Sequence, residues 1–362
     1  MIIGIDIGYG YVKAAGNAKQ VIFPTIIGDK KESTGLSDYF GSTDDYIVSI
    51  RSEGEEKEYY VGDIAITNGF ARKWNSDKTV DLEYLKVFCG TAFAGLLEAS
   101  DETEIEIGVG LPINFFKVYG EKLKKMLDGI SIEIKINNGS YKLFNIKKVK
   151  IYVQGLGAYF SSIYDENGAV KNMDLLNKSC GFIEIGYRTV DYFIVLLGKK
   201  SMTVPEAYAQ TLEKEGINYA FQDVGRSLLG EYKTSFDIIE IEKSILWRNG
   251  NLEIDGGDTI NINKYYESAI EKLAETIKDK INIIWQEHSN RLPIIYISGG
   301  GGDVLYKYLF KFYKQCRLQE NAQFANALGY LANMKKDDLN EGKAVENTNK
   351  NKKDNKIPVK AK

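Results

Sequence analysis

A chain of 362 residues, 44% of them hydrophobic, is long enough to build two domains with separate cores. Its 47 basic and 50 acidic residues nearly balance, and a formal net charge of −3 gives no electrostatic basis for direct binding to nucleic acid. Three scattered cysteines, Cys89, Cys180 and Cys316, contain no CxxC pair and are typical of reduced thiols in a cytoplasmic protein.

The N-terminal apolar run predicts a strand. Asp6 interrupts it and no basic segment precedes it, so a signal peptide is a poor interpretation. No stretch approaches about 18 uncharged apolar residues, and we therefore expect no membrane span.

In the first half of the chain, apolar alternation predicts strands and helical spacing predicts helices. Two strands are expected around the turn that contains Gly8 and Gly10. Further strands are expected at 20–27, 46–50, 58–61, 104–111, 130–136 and 141–153. Helices are expected at 79–99, 115–127 and 154–164.

The second half repeats the opening pattern. A strand pair at 181–197 surrounds Gly186, and a mostly helical region at 205–232 follows it. An amphipathic helix is expected at 270–284, then a buried strand at 293–298, four glycines, and helices at 304–313 and 321–334. From residue 335 the composition is charged and almost free of apolar residues, which predicts a disordered tail over 335–362.

The repeated unit places an acid, Asp6 or Glu184, before a glycine turn. Without a Cβ in the way, the backbone N–H groups of such a turn can approach phosphate oxygens. Two turns that face each other can grip a polyphosphate and its metal from both sides. Two similar lobes with a ligand in the cleft between them are therefore expected.

Individual residues of these turns have two interpretations each. Asp6, on an apolar strand, is costly to bury unless it meets a cation or hydrogen-bond donors. It either holds water bound to Mg²⁺ or caps N–H groups of the turn. Gly8, Gly10 and Gly186 are phosphate-binding glycines or ordinary hairpin glycines. Lys13 either neutralises phosphate charge or is simply solvated.

Two further segments carry candidate residues. Gln154 begins a helix whose first turn contains Gly155 and Gly157. Its amide can orient an attacking water, or it can be a polar helix cap. The run Gly299, Gly300, Gly301 and Gly302 after a buried strand favours close backbone contact with a flat or phosphorylated ligand.

Several chemistries are excluded by residue types. The chain has one histidine, His288, which rules out a His-rich metal site and makes a Ser–His–Asp triad a poor hypothesis. No GxxxxGK[ST] segment is present, and the N-terminal glycines do not fit GxGxxG.

Five segments, in order, resemble the sequence elements that the actin superfamily places around one nucleotide. They are residues 5–10, 153–158, 183–191, 295–302 and 320–329. Within the superfamily the chain is most similar to ParM-like bacterial and archaeal actins. Three segments carry that similarity, at 21–25, 60–63 and 108–112.

The resemblance implies an α/β, actin-like (ribonuclease H-like) duplicated fold with two lobes and a nucleotide in the interdomain cleft. Domain I would span 1–160, with 325–334 returning to it, and domain II would span 161–324. ATP or GTP with Mg²⁺ would be the ligand. Asp6 and Glu184 would flank the metal through water, and Gln154 would position the attacking water. The nucleotide would contact Gly8, Tyr9, Gly10, Tyr11, Lys13, Gly186, Tyr187, Arg188, Thr189 and the glycines at 299–302.

The resemblance further implies a nucleotide-hydrolysing protein that polymerises head-to-tail into filaments. In ParM-type relatives such filaments segregate plasmid DNA through a DNA-binding adaptor on the plasmid centromere. Two alternatives remain: a superfamily small-molecule kinase, or a filament with another cargo, such as a phage or a cell-shape function. One departure is Glu184, where the family usually has Asp. We expect its longer side chain to reach further into the cleft and to alter metal preference or slow hydrolysis.

Overall fold

The computed structural model describes residues 1–16, 19–30, 46–52, 54–67, 71–73, 81–97, 103–198, 201–254 and 257–354. Within them, each half of the chain builds a mixed β-sheet with helices packed against it. No helix in the described ranges is both long enough and apolar enough to cross a bilayer.

The first sheet has ten strands among the described residues, in the order β3-β2-β1-β8-β10-β9-β5-β6-β4-β7. They are β1 (Ile2–Ile7), β2 (Tyr11–Gly16), β3 (Lys19–Pro24), β4 (Ile26–Asp29), β5 (Tyr46–Ser52), β6 (Glu55–Val61), β7 (Ala71–Lys73), β8 (Glu104–Leu111), β9 (Ser131–Ile136) and β10 (Lys142–Val153). The helices of this half are α1 (Asp63–Thr67), α2 (Leu82–Leu96), α3 (Ile113–Leu127) and α4 (Leu156–Ile163).

The second sheet contains β11 (Cys180–Ile185), β12 (Thr189–Leu197), β13 (Met202–Thr203), β14 (Gln210–Glu213), β17 (Ile295–Ser298) and β18 (Cys316–Leu318). A separate pair is formed by β15 (Asn251–Glu253) and β16 (Thr259–Asn261). The helices are α5 (Asn218–Tyr232), α6 (Ile238–Trp247), α7 (Asn263–Trp285), α8 (His288–Arg291), α9 (Gly302–Phe312) and α10 (Ala325–Asp354).

The two sheets share one strand pattern, which confirms the predicted duplicated α/β fold. β1 pairs antiparallel with β2 and parallel with β8, and β8 continues in parallel to β10. In the second sheet, β11 pairs antiparallel with β12 and parallel with β17, which continues in parallel to β18. Because both hairpins lie next to parallel strands, their turns emerge at corresponding places in the two sheets.

The predicted periodicities explain the cores. Along β8 the alternating residues Ile105, Ile107, Val109 and Leu111 are all buried. In α7 the residues spaced for one helix face are buried as well, among them Ile270, Leu273, Ala274, Ile277 and Ile281. Burial of these apolar faces supplies the main driving force for folding of each half.

Two predicted elements differ from the structure. The single strand expected at 20–27 is two strands, because Thr25 turns the chain: its N–H donates to the Gly10 carbonyl and its hydroxyl to the Gly8 carbonyl. The region expected to be mostly helical at 205–232 begins with β14, which pairs with β12, and α5 starts only at Asn218. Alternation over four residues between Pro205 and Gly216 is too short a signal to distinguish from a helix.

The boundary predicted for a disordered tail at residue 335 is wrong, because α10 continues to Asp354. Charged pairs hold its continuation on the first sheet: Asp337 lies 2.5 Å from Lys150, and Asp338 lies 3.6 Å from Lys148. The tail was predicted to be disordered from its low apolar content, which gives no information about ion pairs with the rest of the chain. Residues 355–362 lie outside the described residues.

Helices α4 and α10 cross in direct backbone contact. A Cβ on Gly329 would lie 1.8 Å from the Gly157 carbonyl oxygen, and a Cβ on Gly157 would lie 2.6 Å from the Cα of Asn326. Neither position can hold a side chain without separating the helices. The crossing therefore fixes the start of α10 against the start of α4.

Candidate functional site

The two glycine turns face each other across a cleft of about 190 Å³. Most of the residues predicted for the site line it: Asp6, Gly8, Tyr9, Gly10, Tyr11, Lys13, Gln154, Glu184, Gly186, Tyr187, Thr189, Gly300 and Gly301. Three do not line it, namely Arg188, Gly299 and Gly302.

The turns have the same hydrogen bond. The Gly8 N–H donates to the Tyr11 carbonyl at 3.0 Å, and the Gly186 N–H donates to the Thr189 carbonyl at 2.9 Å. A Cβ on Gly8 would lie 2.7 Å from the Tyr11 carbonyl oxygen, so the first turn requires glycine there.

The turns also touch each other. A Cβ on Gly10 would lie 2.8 Å from Cβ and Cγ of Tyr187, which shows that backbone of the first turn packs on this ring. The Arg188 guanidinium carbon lies 5.0 Å from the centre of the Tyr9 ring, within range of a cation–π contact. Arg188 thus bridges the two turns instead of lining the cleft.

Asp6 is buried and accepts hydrogen bonds at both oxygens. Lys13 Nζ donates to Oδ2 at 2.9 Å, and Gln154 Nε2 donates to Oδ1 at 2.8 Å. The Gln154 backbone N–H donates to the Leu111 carbonyl at 2.7 Å, at the end of β8. The first turn and the start of α4 are therefore tied together through one carboxylate.

Glu184 lines the cleft and is also held from behind. Asn326 Nδ2, on α10, donates to its Oε1 at 2.5 Å. Across the strands, Glu184 pairs with Asp191, another buried cleft residue, whose Oδ1 accepts from the Thr211 hydroxyl and the Ile113 N–H. Glu184 thus contacts α10 and also lines the cleft.

The third glycine run packs against the second sheet. Gly299 has a φ of +83°, and a Cβ there would lie 2.3 Å from the Ile185 carbonyl oxygen. The Gly301 N–H donates to that same oxygen at 2.9 Å. The close approach places Gly300 and Gly301 in the cleft wall and leaves Gly299 and Gly302 behind it.

The far end of the cleft is mainly apolar, and its residues were not predicted from the sequence. Its walls are Ile217, Phe221, Leu246, Tyr266 and Val304, with the carboxylate of Glu242 among them. The Phe221 and Tyr266 rings stack with centres 5.5 Å apart. These side chains come from several helices and their flanks, so no local motif identifies them.

Glu242 accepts a hydrogen bond from the Tyr187 hydroxyl at 2.8 Å. Burial, and then the Glu242 carboxylate, raise the pKa of Tyr187 above its usual value. Burial, and then Glu242 and Asp63, raise the pKa of Tyr11 to about 12. Both phenols therefore stay protonated at neutral pH, and the Tyr187 hydroxyl is the one that donates to Glu242.

The carboxylates do not form a cage for a bare metal ion. Among the described residues, no three His, Cys, Asp or Glu side chains are grouped closely enough to hold one. Mg²⁺ usually keeps several waters and takes only one or two carboxylates together with phosphate oxygens. Asp6 and Glu184 both line the cleft, on the strands that precede the two glycine turns. The site fits Mg²⁺ held through water by Asp6 and Glu184.

Comparison with known proteins agrees with this geometry. Residues 4–157 match the family described as actin like proteins, N terminal domain. Residues 182–311 match the archaeal actin homologue MreB-like C-terminal family. An archaeal actin homolog from Thermoplasma volcanium is 21% identical over 346 residues, covering 91% of this chain and 97% of its own.

Two solved structures are similar over the same extent. A ParM from Clostridium botulinum, determined as a 15-stranded filament, is 29% identical with a TM-score of 0.78 and covers 91% of this chain and 97% of its own. An archaeal actin homolog in complex with ADP is 19% identical with a TM-score of 0.72, over 91% of this chain and 97% of its own. The second likeness, at that identity, concerns the fold alone.

Proposed function

The chain belongs to the actin superfamily and is ParM-like, and from this premise we propose that it polymerises head-to-tail into filaments and hydrolyses ATP or GTP with Mg²⁺. The observation that carries the proposal is the cleft in which Asp6, Gln154 and Glu184 converge between two equivalent glycine turns. The similar ParM from Clostridium botulinum, which forms filaments, supports the polymerising part.

In this proposal each part of the cleft has one task. N–H groups of the two turns other than those of Gly8 and Gly186, which close the turns, bind phosphate oxygens together with the Lys13 ammonium. Asp6 and Glu184 accept hydrogen bonds from water on Mg²⁺. Gln154, held by Asp6, orients the attacking water. The aromatic and aliphatic residues around Phe221 receive the base, and Glu242 accepts hydrogen bonds from polar groups of the nucleoside.

The proposed domains follow the sheets. Domain I comprises 1–160 together with 325–334, and domain II comprises 161–324. Packing of α10 supports the return to domain I, because Ala327 and Leu331 cluster with Ala15, and Tyr330 and Met334 cluster with Tyr152. With the nucleotide between the domains, its binding and hydrolysis would change how they close.

Light scattering with parallel phosphate release tests the proposal. Purified protein is mixed with Mg²⁺ and either ATP or GTP, and EDTA replaces Mg²⁺ in the control. Scattering that rises above a critical concentration and is followed by phosphate release is expected, and it identifies the preferred base. Nucleotide turnover with flat scattering at high protein concentration would contradict polymerisation and favour the small-molecule kinase, which a substrate panel then tests.

The cargo is a separate part of the proposal. We propose plasmid DNA, reached through a DNA-binding adaptor and not by direct contact, since the net charge of −3 gives no basis for broad nucleic-acid binding. Co-sedimentation of filaments with the product of a neighbouring gene and its DNA site tests this. Filaments that sediment alone, beside phage or cell-shape genes, would point to another cargo.

A further inference from the structure

Asn326 connects the two halves of the cleft. It is buried, with 3% of its surface exposed, and follows the first residue of α10. Its Nδ2 donates to Glu184 Oε1 at 2.5 Å, and its Oδ1 accepts from the Gly155 N–H at 3.0 Å. The Asn326 side chain thus holds both Glu184, which precedes the second turn, and Gly155, which follows Gln154.

These bonds complete a chain across the site. Lys13 and Gln154 both donate to Asp6, Gly155 follows Gln154 in the backbone, and Asn326 joins Gly155 to Glu184. Asp6, Gln154 and Glu184 are at most 8% exposed, so little solvent can substitute for a lost member. A buried polar network whose members are hydrogen-bonded to one another holds those members rigidly in place.

The chemistry of the two contacts requires an amide. Glu184 needs a donor and the Gly155 N–H needs an acceptor, and an asparagine side chain supplies one of each in a fixed plane. Aspartate would satisfy Gly155 but place a second negative charge against Glu184. The backbone of Asn326 is packed closely against α4, because a Cβ on Gly157 would lie 2.6 Å from its Cα.

We propose that Asn326 is a positioning residue for nucleotide hydrolysis, which sets the Glu184 carboxylate and the Gln154 amide in one relative position across the cleft. This rests on the proposed function, since it assumes that Gln154 orients the attacking water. Asn326 itself lies behind Glu184 and is not among the residues that line the cleft.

The test uses an isosteric exchange and its reversal. Asn326→Asp keeps the shape of the side chain and the acceptor for the Gly155 N–H, but it removes the donor to Glu184 and puts a negative charge in its place. The double variant Asn326→Asp with Glu184→Gln restores the bond with donor and acceptor exchanged. Asn333→Asp is the matched control: this asparagine is also buried on α10, but its Oδ1 accepts from Lys150 and Tyr152, away from the cleft.

Three results are expected for the full-length protein. Asn326→Asp lowers kcat about tenfold or more while KM for the nucleotide changes less than about threefold, because misplacing a reacting group costs rate and not ground-state binding. Without nucleotide, the same variant unfolds about 3 °C or more below the parent. The double variant regains that thermal midpoint to within about 1 °C of Glu184→Gln alone.

Other results would overturn the inference. A kcat for Asn326→Asp within twofold of the parent, or a loss matched by Asn333→Asp, excludes a positioning role. A double variant no more thermostable than Asn326→Asp shows that the pair is not coupled. A parent protein that hydrolyses neither ATP nor GTP overturns the proposed function and the catalytic consequence, and the thermal comparison still decides whether Asn326 and Glu184 are coupled.

Discussion

Glu184 and Asp191 lie directly opposite each other on β11 and β12. The equivalent pair in the first half is Asp6 and Lys13, an acid and a base 2.9 Å apart. The duplicated unit therefore carries a neutral pair in one copy and two acids in the other. Facing acids in a buried cleft repel each other unless a cation or donors compensate them.

This asymmetry predicts the effect of Asp191→Asn. The amide oxygen keeps the bonds from Thr211 and Ile113, and the repulsion with Glu184 disappears. In EDTA the free energy of unfolding should rise by about 1 kcal/mol. The additional stabilisation by Mg²⁺ and nucleotide should shrink, and hydrolysis should fall about tenfold or more because less negative charge faces the metal. Urea unfolding with and without the ligands measures both.

The exposed pair Asp174 and Lys178 provides a control for Asp191→Asn. Asp174→Asn also removes one negative charge, but from an exposed ion pair. It should leave the free energy of unfolding, the stabilisation by Mg²⁺ and nucleotide, and the hydrolysis rate unchanged. If Asp191→Asn were less stable than the parent in EDTA, the two acids would not be repelling each other.

Replacing Gln154 should separate binding from chemistry. Gln154→Ala removes the proposed water-orienting amide and the donor to Asp6, and kcat should fall about 100-fold with nearly unchanged nucleotide affinity. Single-turnover phosphate release measures the rate of hydrolysis, and a nucleotide titration measures the affinity. Gln319→Ala is the control, since Gln319 is an equally buried amide that donates to Ala158 and Ser161 outside the cleft. Equal losses in both variants would leave Gln154 without a specific role.

The contact between the turns predicts a cost for Gly10→Ala. The added methyl group would meet the Tyr187 ring, whose position Glu242 fixes, so the turns must separate. Overpacking of this kind costs about 1–3 kcal/mol, and nucleotide affinity should fall with it. Gly230→Ala adds the same methyl group within α5, where no atom other than those of its own helix backbone and chain neighbours lies within 4 Å, and should be neutral or slightly stabilising. Denaturant unfolding and a nucleotide titration compare Gly10→Ala with Gly230→Ala. Equal stability of the two variants would contradict close packing of Gly10 on the Tyr187 ring.

The sequence was sufficient for features whose signal is local. Glycine turns follow acids within a few residues in both copies, so Asp6, Gly8, Glu184 and Gly186 could be placed in one cleft before the structure was known. The repeated strand–turn–strand unit predicted the two-lobed fold for the same reason.

Features that depend on tertiary contacts could not be predicted. Phe221, Glu242 and Tyr266 belong to three helices that meet only in the folded chain. Asn326 lies in the segment 320–329, which resembles an actin-superfamily element, but its partner Glu184 is 142 residues away in the sequence. Asp191 had a usable signal, because it is as far beyond the second turn as Lys13 is beyond the first.

The buried thiols predict a loss of stability in alkali. Burial raises the pKa of Cys89 and Cys180 to about 12 and that of Cys316 to about 11. The pKa of a thiol in the unfolded chain is about 8.5. The folded state therefore keeps protons that the unfolded state releases, and this stability is complete below pH about 8.5 and is lost as the pH rises toward the folded values.

Urea unfolding at pH 7.5 and 9.5 measures that loss, expected to be about 1 kcal/mol per thiol. Cys89→Ala removes one of the three titrations and should show a shallower decline than the parent. Parallel declines would mean that other groups cause it. Iodoacetamide at pH 8 should leave all three cysteines of the folded protein unmodified and label them after unfolding.

The continuation of α10 predicts different effects for two truncations. Burial would raise the pKa of Asp337, but hydrogen bonds and charge from Lys150 and Lys336 hold it below its usual value. Ending the chain after Asn340 keeps this pair and should leave the thermal midpoint unchanged. Ending it after Met334 removes Asp337, so that Lys150 loses this ion pair, and should lower the thermal midpoint by about 2 °C or more at pH 7.

The difference between these truncations should vanish at low pH. A carboxylate whose pKa is depressed on folding stabilises the protein above its unfolded pKa and loses this contribution as the pH falls through the folded value. The difference in stability between the two shortened chains should therefore begin to shrink below pH about 4 and vanish only below the lowered pKa of Asp337. Ellipticity at 222 nm provides a second comparison, since removal of the helical residues 341–354 should reduce the total helical signal. A signal unchanged after their removal would show that this part of α10 contributes no helix in solution.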